Sequence, residues 1–466
     1  MSEALPGRRR APLAFVTAAV LFLLFVFLDS RTTAAHRRQD FGAARGALLD
    51  RHGSPLAYTP GTGLPAKRLY TVGSASTLLG FRDPARRWHG LESTFDATLS
   101  GLPAQHDWRT FFLNLGGGSV HGGSVKLTID SRVQQVADKA LGGKPGAVVA
   151  IRPSTGAVLA LASSPTCSPG KLSGNAGYRA CSSAPSEPLL NRATQLRVAP
   201  GSAFKIVTLS AALDTGTFHL SDIFSGADAF GPSPYFDNSL YPSNVTRSDL
   251  TAITLEQALA FSDNFTFAHI GLTLGAATLL KYAHRFGIGK PIPFTLPVQA
   301  SQIDHGKSSL SPSNLAQASF GAQVDAVTPL QMAQIASAVA NHGVLMPPRL
   351  VEGLYRHDGS AIATFAAGPG RRIMSAQTAH QVAQAMVFVV DHGSGFKAQI
   401  AHVAVAGKTG TAANGTNRAH AWFIAFAPAF HPVVAVAVLR EFSGEGFQYA
   451  APIARKVMVA AMRAGG

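Results

Sequence analysis

A serine and a lysine three positions apart lie where a predicted helix begins. Pro200 and Gly201 break the chain, and the apolar run at residues 206–213 predicts a buried helix after them. Ser202 and Lys205 would then share one face of the first helical turn, because residues at i and i+3 are neighbours on a helix. A serine hydroxyl becomes a nucleophile when a nearby base takes its proton. This pair could therefore carry out acyl transfer through a serine ester.

A second Ser-x-x-Lys sequence occurs at residues 168–171, and we interpret it differently. Its two middle residues are proline and glycine, which disfavour a helix and therefore predict a loop. In a loop, nothing would hold the serine and lysine side chains together. The spacing alone is thus a weak signal, and a catalytic role for Ser202 requires partner residues elsewhere in the chain.

Ser262 and Asn264 are candidate partners, because they follow a predicted apolar helix at residues 255–261. The Ser-x-Asn spacing also recurs at residues 173–175, so it means little by itself. Ser262 could relay a proton to the leaving amine, and Asn264 could bind a substrate amide. Lys408 could supply a positive charge that keeps the Lys205 amine neutral, while Lys408 itself stays protonated and binds a substrate carboxylate.

Lys408 is the first residue of a Lys-Thr-Gly-Thr sequence in a predicted strand at residues 403–411. Thr409 and Thr411 could hold the substrate carboxylate, and Gly410 would let the substrate backbone approach closely. The backbone N–H groups of Ser202 and Thr411 could form an oxyanion hole if this strand lies at a sheet edge beside the serine. No cysteine and histidine cluster has metal-ligand spacing, so we expect neither a cofactor nor a metal.

Composition and charge limit the classes of partner that the protein could bind and indicate where in the cell it lies. The chain has 466 residues, 46% of them hydrophobic, and a net charge of +15, which together favour a large packed core and anionic partners. Zinc-finger spacings, Walker-type loops and long basic runs are missing, so nucleic acid ranks last. Arginines at positions 8–10 precede an uncharged apolar run at 11–28. We interpret this run as a retained transmembrane anchor and not as a cleaved signal peptide.

Cys167 and Cys181 flank a loop rich in glycine, serine and proline. In an oxidising compartment they could form a disulfide, worth roughly 3 kcal/mol for a loop of about 15 residues. Two unpaired thiols are equally compatible with the sequence.

Strand patterns at the two ends of the main domain predict its fold. The predicted strands lie at residues 147–151, 157–161, 403–411, 421–427 and 433–440, and the section between the two groups is mostly helical. We therefore predict an α+β fold in which one antiparallel sheet is built from both ends of the domain, with helices on both faces. A smaller, extended module would precede it.

The ordered trio of Ser-x-x-Lys, Ser-x-Asn and Lys-Thr-Gly resembles the motifs of the penicillin-binding and serine β-lactamase superfamily. Further segments resemble class B penicillin-binding proteins in the same order along the chain. These segments begin at Arg45, Gly90, Leu127, Gly146, Thr328 and His420. One segment departs from the family, because a sequence that is often Gly-Gln-Gly is Gly-Ala-Gln at residues 321–323. The similarity covers nearly everything after the apolar run.

This resemblance implies a monofunctional peptidoglycan D,D-transpeptidase with Ser202 as the acylated nucleophile. Its substrates would be stem peptides ending in D-Ala-D-Ala, and β-lactams would inhibit it. Residues 1–30 would form a cytoplasmic tail and single anchor in the inner (cytoplasmic) membrane, residues 31–125 a membrane-proximal pedestal or dimerisation-like module, and residues 126–466 the extracytoplasmic transpeptidase domain. Because class B proteins lack polymerase activity, a polytopic glycan polymerase in the same membrane is the expected partner.

Two other functions compete with transfer. A β-lactamase or D,D-carboxypeptidase needs a base that activates water against the acyl-enzyme, and the only glutamate between Asn264 and Lys408 is Glu352, in a strand-like segment. We therefore expect slow deacylation by water. A non-catalytic scaffold or β-lactam sensor is disfavoured, because all three motifs are intact.

Overall fold

The computed structural model describes residues 45–60, 67–101, 121–225, 252–306, 308–322 and 324–465. The apolar run at residues 11–28, which we predict to be an anchor, lies outside these ranges. In the part of the chain that is described, no helix combines the length and apolar character needed to cross a membrane.

Most of the helices and strands lie close to their predicted positions. The strands are β1 Leu48–Leu49, β2 Pro55–Tyr58, β3 Leu69–Tyr70, β4 Ser124–Leu127, β5 Gly146–Ile151, β6 Val158–Ser164, β7 Ile223–Ser225, β8 Ala252–Thr254, β9 Val344–Leu345, β10 Val351–Tyr355, β11 Ala361–Thr364, β12 Arg371–Arg372, β13 Ala406–Ala412, β14 His420–Ala427 and β15 Val434–Arg440. The helices are α1 Ala75–Leu78, α2 Leu91–Thr94, α3 Asp96–Ser100, α4 Ser131–Leu141, α5 Pro169–Leu172, α6 Asn175–Ser182, α7 Lys205–Asp214, α8 Leu255–Phe261, α9 Asn264–Leu274, α10 Ala276–Arg285, α11 Pro312–Ser319, α12 Pro329–Ala340, α13 Ala376–His392, α14 Gly446–Tyr449 and α15 Ala451–Arg463.

A five-stranded sheet, called here the central sheet, is built from both ends of the main domain, as predicted. Its strand order is β13-β14-β15-β5-β6, and every neighbouring pair is antiparallel. β13, which carries Lys408, pairs with β14 on one side and forms the edge of the sheet. The Lys-Thr-Gly-Thr sequence therefore lies on an edge strand.

Helices cover both faces of the central sheet, which confirms the second half of that prediction. Side chains of a strand alternate between faces, so Val149 and Ile151 belong to one hydrophobic cluster, while Val148 and Ala150 belong to another. α12 and α13 contact the sheet on the first side, and α4 and α15 contact it on the second. This double burial explains why β5 and β6 are hydrophobic or small at nearly every position.

A second sheet joins the predicted membrane-proximal module to the main domain. Its strand order is β11-β10-β4-β1-β2-β3. β4 pairs in parallel with β1 and antiparallel with β10. The predicted boundary at residues 125/126 thus falls inside β4, and the two predicted domains share this sheet. The pattern at residues 47–57 predicts two short strands around a turn, and β1 and β2 form there. Their combination with β4 and β10 was not predicted, because these strands are short and come from distant parts of the chain.

Glu92 is the centre of a buried ion-pair network in the membrane-proximal module. Its carboxylate accepts hydrogen bonds from Arg45 Nε at 2.7 Å and from Arg68 Nε at 2.8 Å, and its side chain is fully buried. Arg45 also contacts Asp96 at 2.6 Å. The network therefore joins α2 and α3 to the chain that leads into β1 and β3.

We expect Glu92→Ala to lower the free energy of unfolding by about 3 kcal/mol, because the buried Arg68 guanidinium loses its carboxylate and Arg45 keeps only the half-exposed Asp96. The matched control is Glu352→Ala, which removes a partly exposed ion pair with Lys126 at 3.3 Å. This control should lose less than about 1 kcal/mol. Urea unfolding of both variants measures the difference, and equal losses would show that burial does not decide the strength of these pairs.

The second Ser-x-x-Lys sequence does not form the predicted loop. Its residues form the short helix α5, because proline is well accommodated at the first position of a helix. Ser168 and Lys171 are both exposed to solvent. A disulfide joins Cys167 to Cys181 and thereby links the segment before α5 to α6. Of the two states that the sequence left open for these cysteines, the structure has the bonded one.

Candidate active site

Ser202 lies in a single 3₁₀ turn, Gly201–Phe204, that leads directly into α7. Gly201 has a φ of +55°, and a Cβ at this position would lie 2.6 Å from the Thr411 carbonyl oxygen. Only glycine therefore allows the turn to approach the edge strand β13 so closely. The Ser202 side chain is partly exposed, whereas Lys205, the first residue of α7, is fully buried.

The Lys205 amine contacts the second motif. Its Nζ donates to the Ser262 carbonyl oxygen at 2.6 Å and to Asn264 Oδ1 at 2.7 Å, and Ser262 Oγ lies at 3.4 Å. The structure therefore brings three of the predicted residues together. No hydrogen bond among the described residues joins Lys205 Nζ to Ser202 Oγ, so the pairing expected from the i and i+3 spacing is not formed in this state.

The second motif is a junction between two helices. Ser262 ends α8 in the left-handed conformation, with a φ of 62°, and Asp263 caps α9 by accepting a hydrogen bond from Thr266 N at 2.7 Å. Asn264 is then the first residue of α9. This abrupt turn aims both the Ser262 carbonyl and the Asn264 side chain at Lys205.

Lys408 approaches the same serine from the edge strand. Its Nζ donates to Ser262 Oγ at 2.8 Å and to the Thr409 carbonyl oxygen at 3.1 Å, and the residue is fully buried. Ser262 Oγ thus lies between two lysine amines. This places all three predicted motifs at one site.

The two lysines differ in their electrostatic environment. Burial lowers the pKa of Lys408 from 10.5 to about 7. For Lys205, burial is again the main cause, and the charge of Lys408 lowers its pKa further, while the Asp263 carboxylate acts in the opposite direction. The pKa of Lys205 consequently falls well below its usual value. At neutral pH, Lys205 is therefore the better candidate for a neutral amine.

The other residues of the Lys-Thr-Gly-Thr sequence are held by protein partners. Thr409 Oγ1 and Ser394 Oγ form a hydrogen bond of 2.7 Å, and Thr411 Oγ1 donates to Glu445 Oε2 at 2.7 Å. A Cβ at Gly410 would lie 2.5 Å from the Pro200 carbonyl oxygen. This glycine therefore makes room for the turn that carries Ser202, whereas we expected it to make room for substrate.

A narrow cleft opens beside Ser202. The residues that line it are Ala199, Gly201, Ser202, Asn264, Phe320, Gly321, Ala322, Thr411, Ala412 and Ala413. Phe320 and Ala322 were not predicted to lie here, because the departure from the family sequence at 321–323 carried no site residue. Residue 323 of that departure lies outside the described ranges. Ser394 and Glu445 were also not predicted as site residues. Ser394 lies in the loop after α13 and Glu445 in the loop after β15, and neither loop has a recognisable motif.

Glu352 does not belong to this site. It lies in β10 of the second sheet and pairs with Lys126 at 3.3 Å. This position agrees with the expectation that Glu352 does not activate water against an ester at Ser202.

Comparisons with known proteins point to one family. The family model described as the penicillin binding protein transpeptidase domain matches residues 146–459. The peptidoglycan D,D-transpeptidase PbpA of Mycolicibacterium smegmatis is 35% identical over 435 residues, covering 88% of this chain and 84% of the relative. PbpA of Mycobacterium tuberculosis is 34% identical over 430 residues, covering 88% and 83%.

Solved structures agree with the family match. The crystal structure of PBPA from M. tuberculosis superposes with a TM-score of 0.79 at 32% identity, covering 90% of this chain and 99% of that one. Its penicillin G acyl-enzyme complex gives a TM-score of 0.78 at 33% identity, with 90% and 100% covered. The matched region contains the central sheet and all three motifs. The chain therefore belongs to the penicillin-binding protein transpeptidase family.

Proposed function

We propose that this chain is a class B peptidoglycan D,D-transpeptidase that crosslinks stem peptides through an ester at Ser202. The observation that carries the proposal is the pair of fully buried lysines, Lys205 and Lys408, on either side of Ser262 beside the Ser202 cleft. Neither amine forms a salt bridge with a described residue, so burying both destabilises the fold, and such perturbed groups are typical of active sites. The similarity to curated D,D-transpeptidases supports the same reaction.

The first half of the reaction would use Lys205 as a general base. A neutral amine has two N–H groups and one lone pair, and the carbonyl oxygens of Ser262 and Asn264 accept from both N–H groups. The lone pair is then available to take the Ser202 proton once the Lys205 amine and the Ser202 hydroxyl meet. Ser202 Oγ attacks the carbonyl carbon of the penultimate D-Ala, and the backbone N–H groups of Ser202 and Thr411 stabilise the oxyanion.

The second half of the reaction would release the leaving amine and form the crosslink. Ser262 Oγ contacts both lysine amines, so it can pass the proton from Lys205 to the departing D-Ala nitrogen. Lys408, with Thr409 and Thr411, would hold the terminal carboxylate of the donor peptide. The Thr411 hydroxyl has one proton, so it would turn from Glu445 to the carboxylate while the donor peptide is bound. An acceptor amine then attacks the ester, and the nitrogen–carbon bond forms as the bond to Ser202 Oγ breaks.

Intact-mass measurement after exposure to penicillin G, followed by peptide mapping, tests this function. We expect one adduct with the mass of the whole drug, on the peptide that contains Ser202. The adduct should persist, because Glu352 lies in the second sheet. A wild-type protein without an adduct would contradict the proposal. Rapid turnover of the drug would instead favour a β-lactamase. Heat-unfolded protein is the control for non-specific acylation.

The dependence of the acylation rate on pH should reveal the loss of the positive charge on Lys408. Its pKa is lowered to about 7, so it carries the charge that binds a carboxylate below pH 7 and loses this charge above it. The second-order rate of acylation by penicillin G should therefore fall by up to about tenfold per pH unit above that value. Stopped-flow measurements give the profile. They should span roughly pH 5 to pH 9, the range in which histidine and perturbed lysine groups titrate.

The methyl ester of penicillin G is the matched probe for this profile. The ester lacks the carboxylate, so it should acylate the protein more slowly than the free acid does. Its rate of acylation should also fall much less above neutral pH. A rate for the free acid that continues to rise at alkaline pH would contradict the assignment of Lys408 as the carboxylate-binding cation.

The membrane anchor and its partner belong to the same proposal. We infer that residues 1–30 contain a single transmembrane anchor, that residues 31–125 form the membrane-proximal module, and that the catalytic domain at 126–466 faces away from the cytoplasm. The Cys167–Cys181 disulfide supports this orientation, because structural disulfides persist in oxidising compartments. A polytopic glycan polymerase would supply the strands that this enzyme crosslinks. Accessibility of an added cysteine tag to an impermeant reagent tests the orientation.

A further inference from the structure

Glu445 places a carboxylate next to the cleft, through its contact with a residue of the cleft wall. Glu445 Oε2 accepts a hydrogen bond of 2.7 Å from Thr411 Oγ1. Thr411 lines the cleft together with Ser202 and Asn264. None of the three motifs includes Glu445, and the mechanism described above assigns it no role.

The backbone around Glu445 is held firmly against the edge strand. A Cβ at the following residue, Gly446, would lie 2.5 Å from the Gly410 carbonyl oxygen and 2.3 Å from that of Trp422. The N–H groups of Ser443 and Gly444 both donate to the Ala419 carbonyl oxygen at 3.0 Å. The backbone that carries the Glu445 side chain is therefore packed directly against β13 and β14.

The Glu445 carboxylate has no cationic partner among the residues that the structure describes. Among the ion pairs of the described residues, none involves Glu445, whereas Glu441 in the same loop pairs with Arg192 at 2.6 Å. Oε2 accepts from Thr411, and no hydrogen bond to Oε1 occurs among the described residues. The side chain is partly exposed. One oxygen is thus anchored, and the other can accept from a ligand.

A cationic ligand is required by the second half of the proposed reaction, on which this inference rests. Primary amines with a pKa of about 10.4 are protonated at neutral pH. An acceptor amine therefore arrives as an ammonium ion. It must enter the cleft beside Ser202, because the acyl carbon is attached there. We propose that Glu445 is the specificity-determining residue that binds the ammonium group of the acceptor.

The protons of the transfer step balance when the acceptor binds at Glu445 as an ammonium ion. The bound ammonium ion loses one proton to solvent at the mouth of the cleft and becomes a neutral amine. Its nitrogen attacks the acyl carbon, the nitrogen–carbon bond forms, and the bond from that carbon to Ser202 Oγ breaks. The second nitrogen proton returns to Ser202 Oγ through Lys205. The products are the new amide, the free serine and one released proton.

Partitioning of the acyl-enzyme between acceptors tests the inference. With an N-acyl-D-alanyl thioester as donor, two acceptors are compared: Nα-acetyl-lysine amide, which is cationic, and hydroxylamine, which is neutral. Glu445→Gln should raise the concentration of the lysine derivative needed for half-maximal transfer by about tenfold, since one ion-pair attraction is lost. The value for hydroxylamine should change by less than about twofold, because this acceptor carries no charge.

Two controls separate charge from structure. Glu445→Asp keeps the charge and should fall between the wild type and the glutamine variant, while Glu352→Gln removes a carboxylate of the second sheet and should match the wild type. Equal shifts for both acceptors, or no shift for either, would overturn the inference while the Ser202 adduct with penicillin G still stands. A wild-type protein that forms no adduct would overturn the proposed function and this inference together.

Discussion

Replacing Ser202 by alanine should abolish the penicillin G adduct and all transpeptidation. The hydroxyl is the only atom of the cleft that the proposed reaction acylates, and Lys205 cannot replace it because its amine is buried under Ser262 and Asn264. Removing the nucleophile of a serine enzyme costs on the order of 10⁶ in turnover. We therefore expect no measurable acylation by intact mass, even after prolonged exposure.

The second Ser-x-x-Lys sequence provides the matched control for this variant. Ser168→Ala changes a serine that has a lysine three residues later, but both side chains are exposed on the short helix α5. The Ser168→Ala variant should be acylated at Ser202 at the wild-type rate. Labelling that survives in Ser202→Ala and disappears in Ser168→Ala would show that the sequence spacing was assigned to the wrong copy.

The two copies also show why part of this site could be predicted from sequence. The apolar residues after Lys205 predict a buried helix, and a buried helix carries the lysine into the core. The copy at 168–171 lacks such residues, and its lysine remains in solvent even though it is helical. The distinction therefore depends on the hydrophobic pattern that follows the motif more than on the motif itself.

The central sheet could be predicted for a related reason. β5, β14 and β15 are buried on both faces, so their sequences are continuously hydrophobic and easy to recognise. The second sheet has strands of two to five residues, and β10 reaches β4 from more than 200 positions away. No local pattern encodes such a pairing, because the partner residues are brought together only by the folded main domain.

Contacts between the edge strand and its neighbouring loops were the other feature that sequence could not reveal. The Thr411–Glu445 and Thr409–Ser394 hydrogen bonds join the edge strand to residues whose types are common in any loop. The same limit applies to Gly410. Its glycine is required by the Pro200 carbonyl oxygen, which approaches β13 only once the turn that carries Ser202 has formed.

Replacing Lys205 by alanine should lower the rate of acylation by about 10²–10⁴, the usual contribution of a general base. The amine lies within hydrogen-bond distance of Ser262 and Asn264, and its lowered pKa keeps it able to accept a proton at neutral pH. The loss should be largest near neutrality and should shrink at high pH, where hydroxide can remove the serine proton. Stopped-flow acylation by penicillin G measures it.

A loss of rate from misfolding would look different from a loss of the base. Lys205 is buried and forms no salt bridge with any residue that the structure describes, so its removal relieves a desolvation cost even as it leaves a cavity. We therefore expect the alanine variant to stay folded, with the Ser202 adduct still formed after long exposure. Lys171→Ala, the lysine of the exposed copy, is the control and should acylate normally. If Lys205→Ala also acylated normally, another group would have to take the serine proton. Lys408 would then be the first to test, because its amine already contacts the hydroxyl of Ser262.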